Sequence, residues 1–251
     1  MSLIITPLQN IPLIEPGDDL AGIILSALES SSQSLETGDI LVLAQKIVSK
    51  AEGRLVKLAT VTPSPAALEL AATSGKDPRL AELVLRESKT ILRARQGSVI
   101  VEHRLGFVCA NAGIDQSNVA GSDEWALLLP LDPDQSAAQI RAKLEAASGK
   151  QIGVLIIDSH GRAWRFGTVG TTIGVSGLPA LVDLRGETDL SGYTLKITVL
   201  GAADELAAAA SLMMGQAAEG TPVVHVRGFP YPLREGSLKE LLRPKEQDMF
   251  R

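Results

Sequence analysis

The sequence lacks the features of several large protein classes. It has a single cysteine, Cys109, so no intrachain disulfide can form, which fits a reducing compartment. No stretch approaches the roughly 20 apolar residues of a membrane helix, and no apolar run follows a basic start as in a secretory signal. We therefore expect a cytoplasmic protein with no membrane partner.

A basic charge balance and the familiar nucleotide motifs are also missing. Lys and Arg number 24 against 29 Asp and Glu, a net charge of −5, whereas general nucleic-acid binding needs a basic footprint. The chain contains no G-x-x-x-x-G-K-[ST] and no G-x-G-x-x-G, so neither a P-loop nor a Rossmann fold is expected. A hydrophobic content of 45% over 251 residues supports a sizeable core.

Strand and helix patterns alternate irregularly along the chain. Short apolar runs predict strands at residues 3–7, 40–44, 98–103, 107–110, 125–131, 152–157, 195–200 and 223–226. Capping residues and amphipathic spacing predict helices after Asp18 or Asp19, at 65–74, from residue 78, at 134–148, at 202–214 and, briefly, after Ser237. We expect an α+β or mixed α/β fold in a single domain, residues 1–251; a small helical subdomain around residues 63–92 is the alternative.

A group of side-chain oxygens follows the predicted strand at 107–110. Within eight positions stand Asn111, Asp115, Ser117 and Asn118, separated by small residues that let the backbone approach a ligand. Carboxylate, amide and hydroxyl oxygens are ligands of Mg²⁺ and Mn²⁺. Asp115 is the predicted metal ligand and Asn118 the predicted contact of a phosphate or base; an Asx turn is the alternative.

A second group stands at the end of the predicted strand 152–157. Asp158 and Ser159 come directly after it, and Arg162 and Arg165 follow. A carboxylate at such a position often holds Mg²⁺ beside nucleotide phosphates, and arginine can bind phosphate at two points. The alternative is a turn with solvated arginines.

Positive charge and glycine could support phosphate at two further places. Lys46 and Lys50 follow the predicted strand 40–44, where either could reach a phosphate; a solvated pair is the alternative. The loop at 215–221 has glycines that would let backbone N–H groups face phosphate, although an ordinary helix cap explains it equally. Cys109 lies in an apolar run, which predicts a buried, inert thiol.

Several segments, taken in order, resemble one family. They are IPLIEPGDDL at 11–20, SKAEGR at 49–54, NAGIDQSN at 111–118, DSHGR at 158–162 and LMMGQ at 212–216. Together they look like the coenzyme F420:L-glutamate ligases, also called gamma-glutamyl ligases. The resemblance extends from residue 11 to about residue 228.

The resemblance implies an activity and an unusual ligase fold. Such enzymes add L-glutamate to the lactyl-phosphate side chain of a deazaflavin coenzyme precursor, F420-0, while GTP is split to GDP and phosphate. Further glutamates are joined through γ-carboxylates. Two divalent cations, Mn²⁺ or Mg²⁺, assist, often with K⁺, and the protein forms an intertwined homodimer.

The resemblance also implies the site residues. The implied metal ligands are Asp115, Asp158, Ser159 and Gln216. The implied GTP site comprises Ile11, Pro12, Leu13, Ile14, Gln45, Lys46, Lys50, Asn118, Met214, Gly215, Gln216, Ala217, Ala218, Glu219, Gly220 and Thr221. Gln45-Lys46 stands where some relatives have Ser-Thr, and Ser159 replaces Thr but keeps the hydroxyl. Gln216 stands where some have Glu, and a neutral amide binds metal more weakly.

The implied chemistry proceeds through activation of a carboxylate. A carboxylate does not accept an amine at neutral pH, so transfer of the γ-phosphoryl group first forms an acyl phosphate, which the glutamate amine attacks. Enzymes catalyse phosphoryl transfer mainly by positioning the reactants and neutralising their charge. Lys50 and Arg162 are therefore the predicted catalytic residues. Two other classes stay open: a metal-dependent nucleotide or phosphate-ester hydrolase, and a non-catalytic deazaflavin-binding module.

Overall fold

Helices and strands are mixed throughout the computed structural model, which describes residues 2–117 and 123–249 and so leaves out Asn118. Within that part, the strands are β1 (Ile4–Pro7), β2 (Ile40–Ala44), β3 (Leu55–Lys57), β4 (Ser88–Arg95), β5 (Ser98–His103), β6 (Val108–Ala110), β7 (Trp125–Leu127), β8 (Gly153–Gly161), β9 (Thr168–Ser176), β10 (Val182–Asp183), β11 (Val199–Leu200) and β12 (Val223–Arg227). The α-helices there are α1 (Leu20–Ser30), α2 (Gln45–Ala51), α3 (Pro65–Ser74), α4 (Pro78–Arg86), α5 (Pro133–Ser148), α6 (Ala202–Met214) and α7 (Leu238–Leu241). The predicted mixed α and β class is confirmed.

The largest sheet has five strands in the order β1-β12-β2-β8-β9. Only β2 and β8 pair in parallel; the other neighbours are antiparallel. Leu41 and Leu43 of β2 enter a core cluster that includes residues of α1 and α5, whereas Ile40 and Val42 enter one that includes residues of α6. Both faces of the sheet are therefore covered, which explains why β2 is an unbroken apolar run rather than an alternating one.

Strand β8 continues beyond the predicted end at residue 157. Asp158 pairs with Thr171 of β9, and pairing extends to Gly161. The prediction that Asp158 stands at the end of its strand is therefore wrong. The apolar run marks the fully buried part of the strand, but the backbone pairing with β9 continues through polar residues, of which Asp158 is partly and Ser159 largely exposed.

Strand β9 lies in a Gly- and Thr-rich stretch, residues 167–177, for which no helix or strand is predicted from the sequence. An added Cβ on Gly170 would collide with the carbonyl oxygen of Ala207 in α6. On Gly174 it would lie 2.5 Å from the carbonyl oxygen of Pro133 in α5. The glycines let α5 and α6 approach β9 closely, so residues that weaken a strand by propensity are required here by packing.

A three-stranded sheet, β4-β5-β6, packs with α3 and α4 around its own apolar cluster, which includes Ala67, Val84, Val99 and Val101. The strands predicted at 98–103 and 107–110 are present as β5 and β6, which pair antiparallel as a hairpin. A subdomain at 63–92 stays a prediction. No helix in residues 2–117 or 123–249 has the length and apolar character needed to cross a membrane.

Other predicted elements differ in extent. The strand predicted at 125–131 ends at Leu127, and of the strand predicted at 195–200 only Val199–Leu200 pairs, with β10. Helix α2 and strand β4 were not predicted from the sequence. Helix α2 follows β2 without an intervening loop, so no turn residue announces it.

Candidate active site

Helix α2 carries a lysine that joins the Asp115 segment. Lys46 Nζ donates to Asp115 Oδ2 at 2.6 Å and to Ser117 Oγ at 2.7 Å. The Ser117 N–H donates to Asp115 Oδ1 at 2.7 Å, which is the Asx turn expected as the alternative. Backbone hydrogen bonds between Asp115 and Leu127 of β7 hold this segment. The turn and the charged cluster therefore coexist.

The Asp115 carboxylate is kept ionised by these contacts. Burial alone would raise its pKa, but the hydrogen bonds from Lys46 and from the Ser117 N–H, together with the Lys46 charge, hold the pKa below its ordinary value. Asp115 and Lys46 are each a little more than a quarter exposed. An ionised carboxylate beside a partly exposed ammonium group could contact a cation or a phosphate.

Lys50 lies one turn beyond Lys46 in α2, so the two side chains share a helix face. Burial lowers the pKa of Lys50, and the positive charge of Lys46 lowers it further. Two neighbouring ammonium groups concentrate positive charge where α2 leaves the sheet. This arrangement suits a polyanion such as a nucleotide triphosphate.

Gln45, the first residue of α2, is almost fully buried. Its Oε1 accepts a hydrogen bond from Ser49 Oγ at 2.8 Å, while Nε2 has no partner within the described part of the chain. The side chain thus belongs to the interior. Its backbone N–H stands at the start of α2, where helix N–H groups have no partner within the helix.

Strand β8 and the segment after α6 meet through two of the predicted metal ligands. Ser159 Oγ donates to Gln216 Oε1 at 2.8 Å, and Gln216 Nε2 donates to Ser211 Oγ of α6 at 3.1 Å. Residues 57 positions apart in sequence are therefore in direct contact. Asp158, adjacent to Ser159, contacts His160 Nε2 through Oδ2 at 3.1 Å.

Cys109 lies between the two acidic segments. Its thiol is buried in β6, and burial, with the negative charge of Asp158, raises its pKa to about 12. The predicted burial of the thiol is confirmed. Strand β6 is followed directly by a 3₁₀ turn, Asn111–Gly113, that leads to Asp115. Asp158 is thus near the strand whose end delivers Asp115.

The loop from Met214 to Thr221 is mostly exposed and is closed by its own contacts. Glu219 Oε2 accepts the Ala217 N–H at 2.8 Å, and backbone hydrogen bonds lower the pKa of Glu219. Thr221 Oγ1 donates to the Met214 carbonyl oxygen at 3.2 Å. Gly215 and Gly220 have φ near +70°, a conformation that glycine adopts without strain.

The remaining predicted site residues lie in three segments: residues 11–14, the loop after α6 and the turn between β8 and β9. Leu13 is 88% exposed and Ile14 is buried, while Pro12 lines a cavity of about 560 Å³ beside α1. The cavity's other lining residues are Asn10, Asp18, Asp19, Gly22, Ile23, Ser26, Ala27 and Ser30. Ile11 is half-buried, Ala218 is exposed, and Arg162 is exposed in the turn between β8 and β9.

The donor atoms present suit a hard cation. In residues 2–117 and 123–249, no group of three or more His, Cys, Asp and Glu side chains is placed to hold a metal ion. The candidate donors are one carboxylate from each of two segments, Asp115 and Asp158, with the Ser159 hydroxyl and the Gln216 amide oxygen. All are oxygens, the ligand type of Mg²⁺ and Mn²⁺, and none is a soft sulfur.

His103 and Phe107 are neighbours of the site that the sequence did not indicate. The Phe107 ring centroid lies 5.3 Å from that of His160 and 5.1 Å from that of His103. The signal is weak in sequence because an aromatic residue in a hairpin turn has no fixed partner. Ser117, whose hydroxyl accepts a hydrogen bond from Lys46, is in the sequence only one of several oxygen carriers in its segment.

Comparison with known proteins agrees with the order of these segments. The sequence model of the family described as F420-0:Gamma-glutamyl ligase matches residues 9–228. The chain is 49% identical to the coenzyme F420:L-glutamate ligase of Methanothermobacter thermautotrophicus over all of both chains. It is 46% identical to that of Methanopyrus kandleri over 97% of each chain, and 44% identical to that of Archaeoglobus fulgidus over 100% of this chain and 97% of the relative. The chain belongs to the F420-0:gamma-glutamyl ligase family.

Proposed function

We propose that this protein is a GTP-dependent ligase that joins L-glutamate to the coenzyme F420 precursor and then adds γ-linked glutamates. The observation that carries the proposal is full-length similarity to proteins named coenzyme F420:L-glutamate ligase. The site chemistry supports it, since Lys46 pairs with Asp115 and Ser159 bonds to Gln216, which gives two pairs of polar groups suited to cations and phosphate. Amide formation from a carboxylate needs both phosphate transfer and charge neutralisation.

The proposed reaction has two steps. An acceptor carboxylate oxygen bonds to the γ-phosphorus of GTP as the bond to the β-phosphate oxygen breaks, which releases GDP. The amine of L-glutamate then attacks the carbonyl carbon of the acyl phosphate, and inorganic phosphate leaves. Lys46 and Lys50 neutralise the phosphates from α2, and Arg162 does so from the β8–β9 turn.

Divalent cations complete the proposal. Asp115, Asp158, Ser159 and Gln216 would hold them, and K⁺ is a further expected ion. When bound, such cations would neutralise phosphate oxygens and orient them for in-line transfer. Lys46, which is paired with Asp115, would remain close enough to contact a phosphate beside the cation.

The nucleotide is proposed to contact two segments besides α2. The loop 214–221 offers backbone N–H groups near glycines with positive φ. The second is the segment at residues 11–14, of which Pro12 lines the cavity beside α1. Asn118 belongs to the proposed GTP site on the family resemblance alone, because it lies outside the described residues.

The product distribution tests the proposal. Incubation with F420-0, GTP, Mn²⁺ and L-glutamate should yield a mass ladder in glutamate steps together with GDP. Asp158→Ala should abolish coenzyme- and glutamate-dependent GDP formation, whereas Glu69→Ala, an exposed change on α3, should not. Unchanged turnover in Asp158→Ala would contradict the site, and GTP consumption without glutamate would favour the hydrolase.

A homodimer is also proposed. Large apolar side chains are strongly exposed in this single chain: Trp164 and Phe166 in the β8–β9 turn, Leu190 and Ile197 between β10 and β11, and Leu212 near the end of α6. Clustered exposed apolar residues are typical of protein–protein contacts. A second copy of the chain is the partner that the family resemblance implies.

A further inference from the structure

His160 lies beside Asp158 on the same face of β8. The two residues are two positions apart, so their side chains leave the strand on one side. His160 Nε2 lies 3.1 Å from Asp158 Oδ2, and the side chains are only 10% and 15% exposed, respectively. Within residues 2–117 and 123–249, the Asp158 carboxylate has one hydrogen-bond partner, His160, which contacts Oδ2; Oδ1 has no partner there.

The imidazole of His160 is supported by the β5–β6 hairpin. The Phe107 ring packs against it at 5.3 Å between centroids with a 46° tilt, and stacks on His103 at 5.1 Å and 5°. The backbone N–H of His103 donates to the backbone carbonyl oxygen of Phe107 at 2.8 Å, which holds the backbone of Phe107 in place. The aromatic ring therefore restricts rotation of the imidazole away from Asp158.

His103 is itself held in place. It is fully buried, and its Nδ1 accepts the Leu105 N–H at 3.1 Å. Its Nε2 lies 3.7 Å from Glu87 Oε2. The stack therefore runs from Glu87 through His103 and Phe107 to His160, and it links the three-stranded sheet to strand β8.

We propose that His160 is a positioning residue that donates its Nε2–H to Asp158 Oδ2 and so holds that carboxylate in one orientation. The hydrogen bond occupies Oδ2 and leaves Oδ1 for a cation. A hydrogen-bonded carboxylate loses less rotational freedom on binding metal, and partners of this kind commonly change metal affinity 10- to 100-fold. The inference rests on the proposed cation-binding role of Asp158.

Two substitutions separate the hydrogen bond from the packing. His160→Gln keeps an N–H donor at nearly the same reach, whereas His160→Phe keeps a ring against Phe107 but has no donor. With Mn²⁺ as the probe and free Mn²⁺ measured by electron paramagnetic resonance, His160→Phe should raise the dissociation constant about 10- to 100-fold. His160→Gln should stay within a few-fold of the original protein.

A second measurement needs neither metal nor turnover. The chain has three histidines, so ¹⁵N resonances can be assigned by single substitutions. The His160 ring should show a protonated Nε2 and an unprotonated Nδ1, and Asp158→Asn should shift its resonances. A protonated Nδ1 with a bare Nε2, or Mn²⁺ affinity unchanged in a folded His160→Phe, would overturn the proposal.

Asp158→Ala distinguishes this inference from the proposed function. If Asp158→Ala weakens Mn²⁺ binding but His160→Phe does not, the cation site stands and the positioning role fails. If Asp158→Ala leaves Mn²⁺ binding unchanged, the proposed cation role of Asp158 fails, and the positioning role fails with it.

Discussion

At the residue scale, Gly170 places helix α6 against the strand that pairs with Asp158. Gly170 pairs with Ser159 across β8 and β9, and the space above it is filled by Ala207 and Ser211 of α6. Ser211 also accepts the hydrogen bond from Gln216. The missing side chain thus sets how closely the Gln216 segment approaches β8.

Gly170→Ala should destabilise the protein by about 1–3 kcal/mol, because the added methyl forces α6 and β9 apart. Gly161→Ala is the matched control. Gly161 is the last residue of β8, the strand that pairs with β9, and a Cβ added to it would have no atom within 4 Å. Urea unfolding of both variants measures the difference. Equal midpoints for the two would contradict the close-packing argument.

At the scale of elements, one buried carboxylate ties the β4–β6 sheet to the main body. Glu87, which follows α4, lies 3.2 Å from Arg54 Nη2 and 2.8 Å from Arg104 Nε. Arg54 Nε also donates to the Leu129 carbonyl oxygen at 2.8 Å. Helix α4, the segment before β3 and the β5–β6 turn therefore share one charged contact.

This contact should make stability fall in acid. Burial opposes ionisation of Glu87, but the adjacent His103 ring and the hydrogen bond from Arg104, with the charges of Arg104 and Arg54, lower its pKa from 4.5 to about 2. A carboxyl group whose pKa is lower in the folded state than in the unfolded state stabilises the fold at pH values above its unfolded-state pKa. That stabilisation is lost as the pH falls toward 2. The full contribution is roughly 3 kcal/mol.

The comparison is the free energy of unfolding of the original protein and of Glu87→Gln between pH 5 and pH 2. Other carboxyl groups titrate in both proteins, so only the difference between the two curves belongs to Glu87. The difference in free energy of unfolding between the two proteins should be largest near pH 5 and should decrease as the pH falls. Parallel curves would show that Glu87 does not titrate in this way.

At the scale of the whole molecule, exposed apolar residues predict association. Leu190 and Ile197, which are 109% and 89% exposed, lie in the same connection between β10 and β11. We expect the protein to have twice the mass of the chain in light scattering, and Leu190→Glu with Ile197→Glu to reduce it toward that of a monomer. Leu68→Glu, an exposed change on α3, is the control; equal masses throughout would contradict the assignment of this surface.

Much of the fold was predictable from local patterns. The buried strands β2 and β12 and the β5–β6 hairpin follow from apolar runs, and α3, α5 and α6 follow from capping and periodicity. Helix α2 was missed because it continues directly from β2, and β9 because glycine lowers strand propensity. In both cases long-range packing overrides the local preference.

The sequence by itself determined the residue types of the site and the order in which they occur, since oxygen donors, lysines and glycines are visible without coordinates. Only the tertiary structure decided which of them meet: Lys46 with Asp115, and Ser159 with Gln216. Contacts over 50 to 70 positions depend on strand pairing and helix packing, which local sequence does not encode. The stack of Phe107 on His160 belongs to the same class, because its partners come from separate sheets.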